Sequence, residues 1–170
     1  MHIITVVGDK KVGKTALCSL WACENVTTSY VSTLNVCHWM LPDLTVHDTP
    51  SDRRFCSKLD VYFQSTDVFV LVANKDKDID PWWALIRRCN TSASWLFVWT
   101  GDSDCPKRRS WAKGRGIDVV FANHTDPDSV VTTLDRVKTL AKSHESRPER
   151  VPIGYYEYFL GGANHWLQCA

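Results

Sequence analysis

The sequence predicts an α/β domain organised around a doubly wound, mostly parallel β-sheet. Apolar runs alternate along the chain with segments of helical periodicity, which is the pattern of strands connected by helices. Two of the runs, 67–73 and 95–99, are almost continuously apolar. Strands of this kind are typical of a parallel sheet whose two faces are both covered by helices.

The predicted elements follow one another in an order that fits this class. The predicted strands are 2–7, 35–41, 44–47, 67–73, 95–99 and 117–121, and the predicted helices are 14–23, 81–89 and 126–142. Pro42 and Asp43 predict a tight turn, so strands 35–41 and 44–47 form a hairpin that makes one edge of the sheet antiparallel. Asp80 is predicted to cap the second helix, and Lys107–Arg109 is interpreted as a charged, solvated loop.

Composition restricts the possible classes of protein. Twenty basic and nineteen acidic residues give a net charge of +1 over 170 residues, without the basic stripe typical of a nucleic-acid partner. No apolar run is long enough to span a membrane, and the first residues lack the layout of a signal peptide. Seven scattered cysteines fit reduced thiols, so we expect a cytoplasmic protein.

The last residues differ in composition from the rest of the chain. We predict one domain over 1–146 and an extension over 147–170 that packs on the domain or on a partner, because its aromatic content is too high for a free linker. Eight tryptophans are many for this length. Most are expected to fill the core, and any exposed ring would indicate a protein-binding surface.

A glycine-containing loop between the first strand and the first helix carries the strongest functional signal. Residues 8–15 read G-D-K-K-V-G-K-T, which matches the phosphate-binding pattern G-x-x-x-x-G-K-[ST] in its expected strand–loop–helix context. Such a loop turns its backbone N–H groups toward a phosphate at the amino end of the helix. Lys14 is then expected to reach the β- and γ-phosphates and Thr15 to ligate Mg²⁺. The predicted nucleotide-binding residues of this loop are Gly8, Lys10, Lys11, Val12, Gly13, Lys14, Thr15 and Ala16. Lys10 and Lys11 either add charge near the phosphates or point to solvent.

With these motifs in order, residues 2–143 resemble a divergent small GTPase of the Ras superfamily, in the Rab-like or Miro-like range. Tyr30-Val31-Ser32-Thr33 is similar to the first switch of that family, in which the threonine ligates Mg²⁺. The resemblance gives this role to Thr33, with Thr27 and Thr28 as weaker candidates.

The second switch is present with substitutions. His47-Asp48-Thr49-Pro50-Ser51-Asp52 resembles the family's D-T-A-G-Q segment, which implies that Asp48 holds Mg²⁺ through water. Ser51 replaces the glycine whose N–H meets the γ-phosphate, and Asp52 replaces the glutamine that orients the attacking water. A carboxylate only accepts hydrogen bonds and is repelled by a triphosphate, so we expect slow hydrolysis.

The base-recognition motif is weaker. Asp104 occupies the position of the family's guanine-binding aspartate, whereas Gly101 and Asp102 replace its asparagine and lysine. Ala122, or Asn123 beside it, would offer a backbone N–H to the base.

The resemblance implies a switch or scaffold subunit of the trafficking or complex-assembly type that binds GTP or GDP with Mg²⁺. It would act through protein partners that contact the switch loops and exposed aromatics. A pseudo-GTPase that needs no nucleotide is the alternative, followed by a phosphate-loop ATPase or kinase. Cys169 is the only cysteine near the end and fits no prenylation motif, so we expect no lipid anchor.

Overall fold

The computed structural model describes residues 1–26, 31–52, 58–74, 77–100 and 106–144. These ranges form a six-stranded sheet and five helices. The strands are β1 His2–Val7, β2 Cys37–Leu41, β3 Leu44–Asp48, β4 Val68–Ala73, β5 Ser94–Trp99 and β6 Asp118–Phe121. The helices are α1 Lys14–Trp21, α2 Asp60–Ser65, α3 Asp80–Cys89, α4 Pro106–Lys113 and α5 Pro127–Lys142. Tail residues 145–170, including the predicted extension, lie outside the described residues.

The order of the strands confirms the predicted α/β class. The sheet runs β2-β3-β1-β4-β5-β6, and β2 pairs with β3 antiparallel while every other neighbouring pair is parallel. The carboxyl ends of β1, β3, β4, β5 and β6 therefore lie along one edge of the sheet. In open sheets of this type, that edge is where ligands bind.

Helices cover both faces of the sheet, which explains the continuous apolar strands. Helices α1 and α5 pack on one face, over a buried cluster that includes Val6, Val70 and Val98. Helices α2, α3 and α4 cover the other face, over a cluster that includes Phe69 and Phe97. Alternate side chains of one strand enter each cluster, so the strand must be apolar at successive positions.

The aromatic residues of the described ranges lie in or beside the core. Trp82 is 1% exposed, and the adjacent Trp83 is half-buried against the rings of Trp95 and Trp111. Within these ranges no tryptophan, tyrosine or phenylalanine is exposed. The interpretation that most tryptophans fill the core is therefore confirmed here, and the described surface supplies no exposed ring for a partner.

Three details of the sequence prediction are wrong. Lys107–Arg109 lies on helix α4 rather than in a loop, and Asp80 is the first residue of α3, which begins after Ile79, rather than its cap. The Asp80 carboxylate instead accepts a hydrogen bond from Trp111 Nε1 at 2.7 Å. Helix α1 ends at Trp21 rather than residue 23, because Cys23 adopts a left-handed backbone with φ of 58°.

One predicted helix start is confirmed. The side chain of Asp126 accepts a hydrogen bond from the backbone N–H of Asp128, and Pro127 occupies the first turn of α5. The N–H groups of the first helical turn have no partner inside the helix. The capping carboxylate accepts a hydrogen bond from one of them, and the proline has no N–H that would need a partner. Within the described residues, no helix is both long enough and apolar enough to cross a membrane.

Candidate phosphate and metal site

The loop between β1 and α1 adopts a backbone that depends on its two glycines. Gly8 and Gly13 have φ of 146° and 90°, and a Cβ added at Gly8 would lie 2.1 Å from the carbonyl oxygen of Val72. Gly8 therefore allows β1 to turn against the end of β4 without a clash. Lys11 also has a left-handed backbone, with φ of 62°, so the loop curls tightly ahead of the helix.

Side chains from two neighbouring elements hold this loop in place. Thr100, which follows β5, donates its hydroxyl to Val12 O at 2.8 Å, and Val12 is 2% exposed. On the other side, Trp82 Nε1 on α3 donates to Asp9 Oδ1 at 2.7 Å. Sequence reasoning missed both contacts, since each joins residues far apart in the chain and neither belongs to the loop motif.

Lys14 is buried at the start of α1 and makes three hydrogen bonds. Its Nζ donates to Gly8 O at 2.9 Å, to Asp9 O at 3.0 Å and to Ser51 Oγ at 2.9 Å. The side chain has only 5% exposure, and burial lowers the pKa of Lys14 to about 8, against an opposing effect of Asp48. A cation at this depth favours an anion that comes within its reach.

Thr15, Thr33 and Asp48, the residues to which the resemblance assigns Mg²⁺, come together beside Lys14. Thr15 Oγ1 donates to Asp48 Oδ2 at 2.6 Å and lies 3.1 Å from Thr33 Oγ1. Because the Thr15 hydroxyl has one proton, Thr33 is the donor in the second bond. These residues come from α1, from the segment before β2 and from the end of β3, so the tertiary fold creates the cluster.

The carboxylate of Asp48 is incompletely paired. Asp48 has 0% exposure, and its Oδ1 has no hydrogen-bond partner among the described residues. Burial raises the pKa of Asp48, while the hydrogen bond from Thr15 and the charge of Lys14 act in the opposite direction. A buried carboxylate oxygen without a partner is unfavourable unless something outside the chain completes it.

The donor set suits a hard divalent cation. Two hydroxyls and a carboxylate are oxygen ligands of the type that Mg²⁺ prefers, and the open coordination positions would be filled by water and phosphate. In the described residues, no three histidine, cysteine, aspartate or glutamate side chains are grouped to hold a metal ion. The chain thus provides a small oxygen cluster that fits Mg²⁺ bound together with a phosphate.

The strand that ends in Asp48 also buries a histidine. His47 has 0% exposure, and its ring packs edge-on against His38 and Tyr62, with centroids 4.8 and 5.1 Å away. Burial, with a smaller effect of His38, lowers the pKa of His47 to about 3. His47 is therefore a neutral ring in the packing behind the site.

The segment after Asp48 is anchored up to Pro50 and then reaches Lys14. Thr49 is buried and donates its hydroxyl to Val6 O at 2.8 Å, and Pro50 is also buried. Ser51 and Asp52 are half-buried, and Ser51 forms the contact with Lys14 described above. The remainder of the predicted second switch, 53–57, lies outside the described residues.

The remaining loop positions have unequal environments. Lys10 and Lys11 are exposed, which is compatible with either predicted arrangement, a charge near the phosphates or a side chain that points to solvent. Ala16 is half-buried in the first turn of α1. Thr27, Thr28 and Tyr30 of the predicted first switch lie outside the described residues.

The structure supports the predicted base-binding residues less well than the predicted phosphate-binding residues. The Ala122 N–H donates to Trp99 O at 2.9 Å, and the Asn123 N–H donates to Ser129 Oγ at 2.9 Å. A base oxygen would have to compete with both acceptors, so the fold does not present either N–H as an unused donor. Asp104, with Gly101 and Asp102, lies outside the described residues.

The sequence finds no match among protein-family models, and no curated protein matches it significantly.

Proposed function

We propose that the protein is a small GTPase-like nucleotide-binding switch or scaffold subunit with slow or absent hydrolysis. The observation that supports it most directly is the cluster of Lys14, Thr15, Thr33 and Asp48 beside the phosphate loop, in which Lys14 and Asp48 are buried, Thr33 is half-buried and Thr15 is exposed. A cation, two hydroxyls and an incompletely paired carboxylate complement a magnesium-bound polyphosphate. The preference for guanine rests on the resemblance of the sequence to Ras-superfamily proteins.

Each residue has a distinct task in this proposal. Lys14 neutralises phosphate oxygens, and the buried site strengthens that attraction relative to the protein surface. Thr15, Thr33 and Asp48 hold Mg²⁺, which supplies charge neutralisation of the phosphates when bound. Burial of Asp48 disfavours its ionised form, and a bound cation reverses that preference.

Hydrolysis is expected to be slow because of the residue at the water-orienting position. Asp52 offers two acceptor oxygens when ionised, so it can accept a hydrogen bond from water but cannot donate one to a phosphate. Its negative charge also opposes the charge of the terminal phosphate. A protein that binds GTP and hydrolyses it slowly acts through the partners that its nucleotide-bound form selects.

Identification of any bound nucleotide tests this proposal. The freshly purified protein is denatured and the released material is separated by chromatography, and GTP, GDP and ATP are then titrated with and without Mg²⁺. The proposal predicts guanine nucleotide in the purified protein, or Mg²⁺-dependent binding of GTP and GDP. Exclusive binding of ATP would replace it with an ATPase or kinase assignment.

A pseudo-GTPase is the second candidate, favoured by a specific observation. All three donors of Lys14 and the N–H groups of Ala122 and Asn123 already have partners inside the chain. A fold that satisfies these groups internally has less need of a ligand. This candidate predicts a protein purified without nucleotide that binds a partner equally well with and without GTP, and nucleotide-dependent partner capture would exclude it.

A further inference from the structure

A cavity of about 460 Å³ opens at the amino ends of β5 and β6, on the edge of the sheet opposite the phosphate loop. Its charged lining residues are three arginines, Arg87, Arg115 and Arg136, and one carboxylate, Asp118. We propose that this cavity is a docking site for an acidic peptide segment of a partner protein. The cavity uses none of the residues assigned to phosphate or Mg²⁺, so it is independent of the proposed nucleotide site.

The three arginines reach the cavity from three different elements. Arg87 lies on α3, Arg136 lies on α5, and Arg115 lies in the turn that leads from α4 into β6. Helices α3 and α5 cover opposite faces of the sheet, so the tertiary fold gathers these cations around one opening. Asp118 forms an ion pair with Arg136, which leaves the other two arginines as an excess of positive charge. A concave surface of one charge sign attracts ligands of the opposite sign.

Arg87 and Arg115 have donors available for a ligand. In the described part of the chain, no carboxylate pairs with Arg87, which is exposed. Arg115 donates to Trp111 O at 3.2 Å and lies 3.4 Å from a carboxylate oxygen of Asp80, whose side chain is 57% exposed. A guanidinium has five N–H donors, and these contacts use few of them. Both arginines can therefore bond to carboxylates from outside the chain.

The ring of Trp83 holds these two arginines beside each other. The Cζ atom of Arg87 lies 5.6 Å from the ring centroid, and that of Arg115 lies 6.0 Å from it. A guanidinium that lies over a ring uses its flat face there and keeps the N–H groups at its edge for planar acceptors such as carboxylates. Two cations held against one indole also repel each other, and a carboxylate between them removes that repulsion.

The uncharged lining indicates a peptide rather than a small inorganic anion. Ala93, Trp95 and Ile117 are buried, and Leu140 is half-buried, so the cavity has an apolar wall between its arginines. A single anion would pair with one arginine and leave this wall exposed to water. A peptide with acidic residues on both sides of an apolar residue complements both parts, in the pattern of an apolar centre and a charged rim that protein interfaces use.

Calorimetric titration of the full chain with a blocked peptide of sequence E-E-L-E-E tests the proposal. We expect a Kd of about 1 mM or tighter at about 50 mM salt, and weaker binding at about 300 mM salt because the attraction is screened. The peptide K-K-L-K-K should not bind. The peptide E-E-G-E-E should bind about 5-fold more weakly, since it lacks the apolar side chain. Absence of E-E-L-E-E binding at low salt, or equal affinity for E-E-G-E-E, would overturn the proposal.

Two neighbouring arginines of α3 provide a matched pair of variants. Arg87→Ala and Arg88→Ala change the net charge equally, and both side chains are exposed, but Arg88 lies outside the cavity. We expect E-E-L-E-E to bind about 5-fold more weakly to Arg87→Ala, whereas Arg88→Ala should change its affinity by less than about twofold. Thermal melting establishes that both variants are folded. Equal losses in the two variants would show that the peptide responds only to net charge and would overturn the assignment to the cavity.

A phosphorylated probe tests the choice of carboxylate as the ligand group. Arginine also recognises phosphate, so a peptide with phosphoserine in place of each glutamate is titrated under the same conditions. We expect E-E-L-E-E to bind measurably by itself and to compete with the phosphorylated peptide. Binding of the phosphorylated peptide alone would overturn the proposal and assign the cavity to phosphorylated partners.

Discussion

Two regions lie along the same edge of the sheet, one at the ends of β1 and β3 and the other at the ends of β5 and β6. The polar groups of the two regions differ in how completely they are hydrogen-bonded within the protein. At the first pair, Asp48 is completely buried and has a carboxylate oxygen without a partner in the described chain. At the second pair, the N–H groups of Ala122 and Asn123 donate to acceptors of the fold at 2.9 Å.

This difference indicates which part of a ligand each region is built to hold. An incompletely paired buried group gains most from a ligand, because the ligand removes a cost that the free protein carries. A donor that already has a good partner gains little, since binding only exchanges one bond for another. We therefore expect the phosphate end to supply most of the affinity for a nucleotide and the base end to supply little.

Gly8→Ala should have the largest effect, because the new Cβ would lie 2.1 Å from Val72 O at a residue with φ of 146°. We expect the free energy of unfolding to fall by roughly 3 kcal/mol or more, measured by urea denaturation. Gly116→Ala is the control: it also has a positive φ, of 65°, but no atom lies within 4 Å of its added Cβ. Its loss of unfolding free energy should stay at about 1–2 kcal/mol. Equal losses in the two variants would remove the steric argument for the loop.

Lys14→Met should separate binding from folding. Methionine keeps much of the buried chain and removes the charge, so nucleotide affinity should fall by about 100-fold or more in calorimetry. Stability should be preserved or increased, because a buried ammonium with a lowered pKa is unfavourable in the free protein. Retention of full nucleotide affinity in Lys14→Met would contradict the conclusion that the phosphate end supplies most of the affinity.

Acid should destabilise the protein through the histidine behind the site. The pKa of His47 is lowered by burial from 6.5 to about 3, so between these values the unfolded chain binds a proton that the folded chain does not. The contribution of the neutral His47 ring to the free energy of unfolding is complete above pH 6.5 and is lost as the pH falls toward 3. At pH 4 the loss should reach about 3 kcal/mol. His47→Phe should show a smaller loss on acidification than the wild type in urea denaturation, and identical pH profiles would disprove this origin.

The smallest effect is expected at the base end. Asn123→Ala removes an exposed side chain. Within the described ranges its oxygen accepts hydrogen bonds from Thr125 alone, from the N–H at 3.0 Å and from the hydroxyl at 2.8 Å. Nucleotide affinity should change by less than about twofold. A large loss of GTP affinity with unchanged affinity for tripolyphosphate would show that this end recognises the base directly, and would break the contrast between the two regions.

The sequence predicted the parts of the fold that have local signals. Apolar runs located the six strands, and the loop motif located the turn between β1 and α1 because its spacing is tied to one strand–loop–helix unit. Helix α4 was missed because Lys107, Arg108 and Arg109 give its first half no apolar face, and α2 has only six residues. Short or strongly polar helices lack the periodicity on which such a prediction depends.

The site was predicted only in part, for a different physical reason. The order of the motifs grouped Thr33 and Asp48 with Thr15, and these three residues do form one cluster. The motifs contain no information on which contacts hold the phosphate loop in place. The bonds from Trp82 to Asp9 and from Ser51 to Lys14 join residues 73 and 37 positions apart. Contacts of this kind depend on how helices and strand ends are packed, which local patterns do not encode.

The coupling between Mg²⁺ and nucleotide is the most direct test of the central claim that Thr15, Thr33 and Asp48 form a metal site completed by a phosphate. GTP binding is measured by calorimetry with Mg²⁺ and with excess EDTA, for the wild type and for Asp48→Asn, which keeps the size and removes the charge. We predict that Mg²⁺ tightens GTP binding to the wild type by about 10-fold or more, and that Asp48→Asn loses most of this gain while its binding in EDTA changes little. Equal affinities with Mg²⁺ and with EDTA in the wild type, or an undiminished Mg²⁺ effect in Asp48→Asn, would contradict the claim.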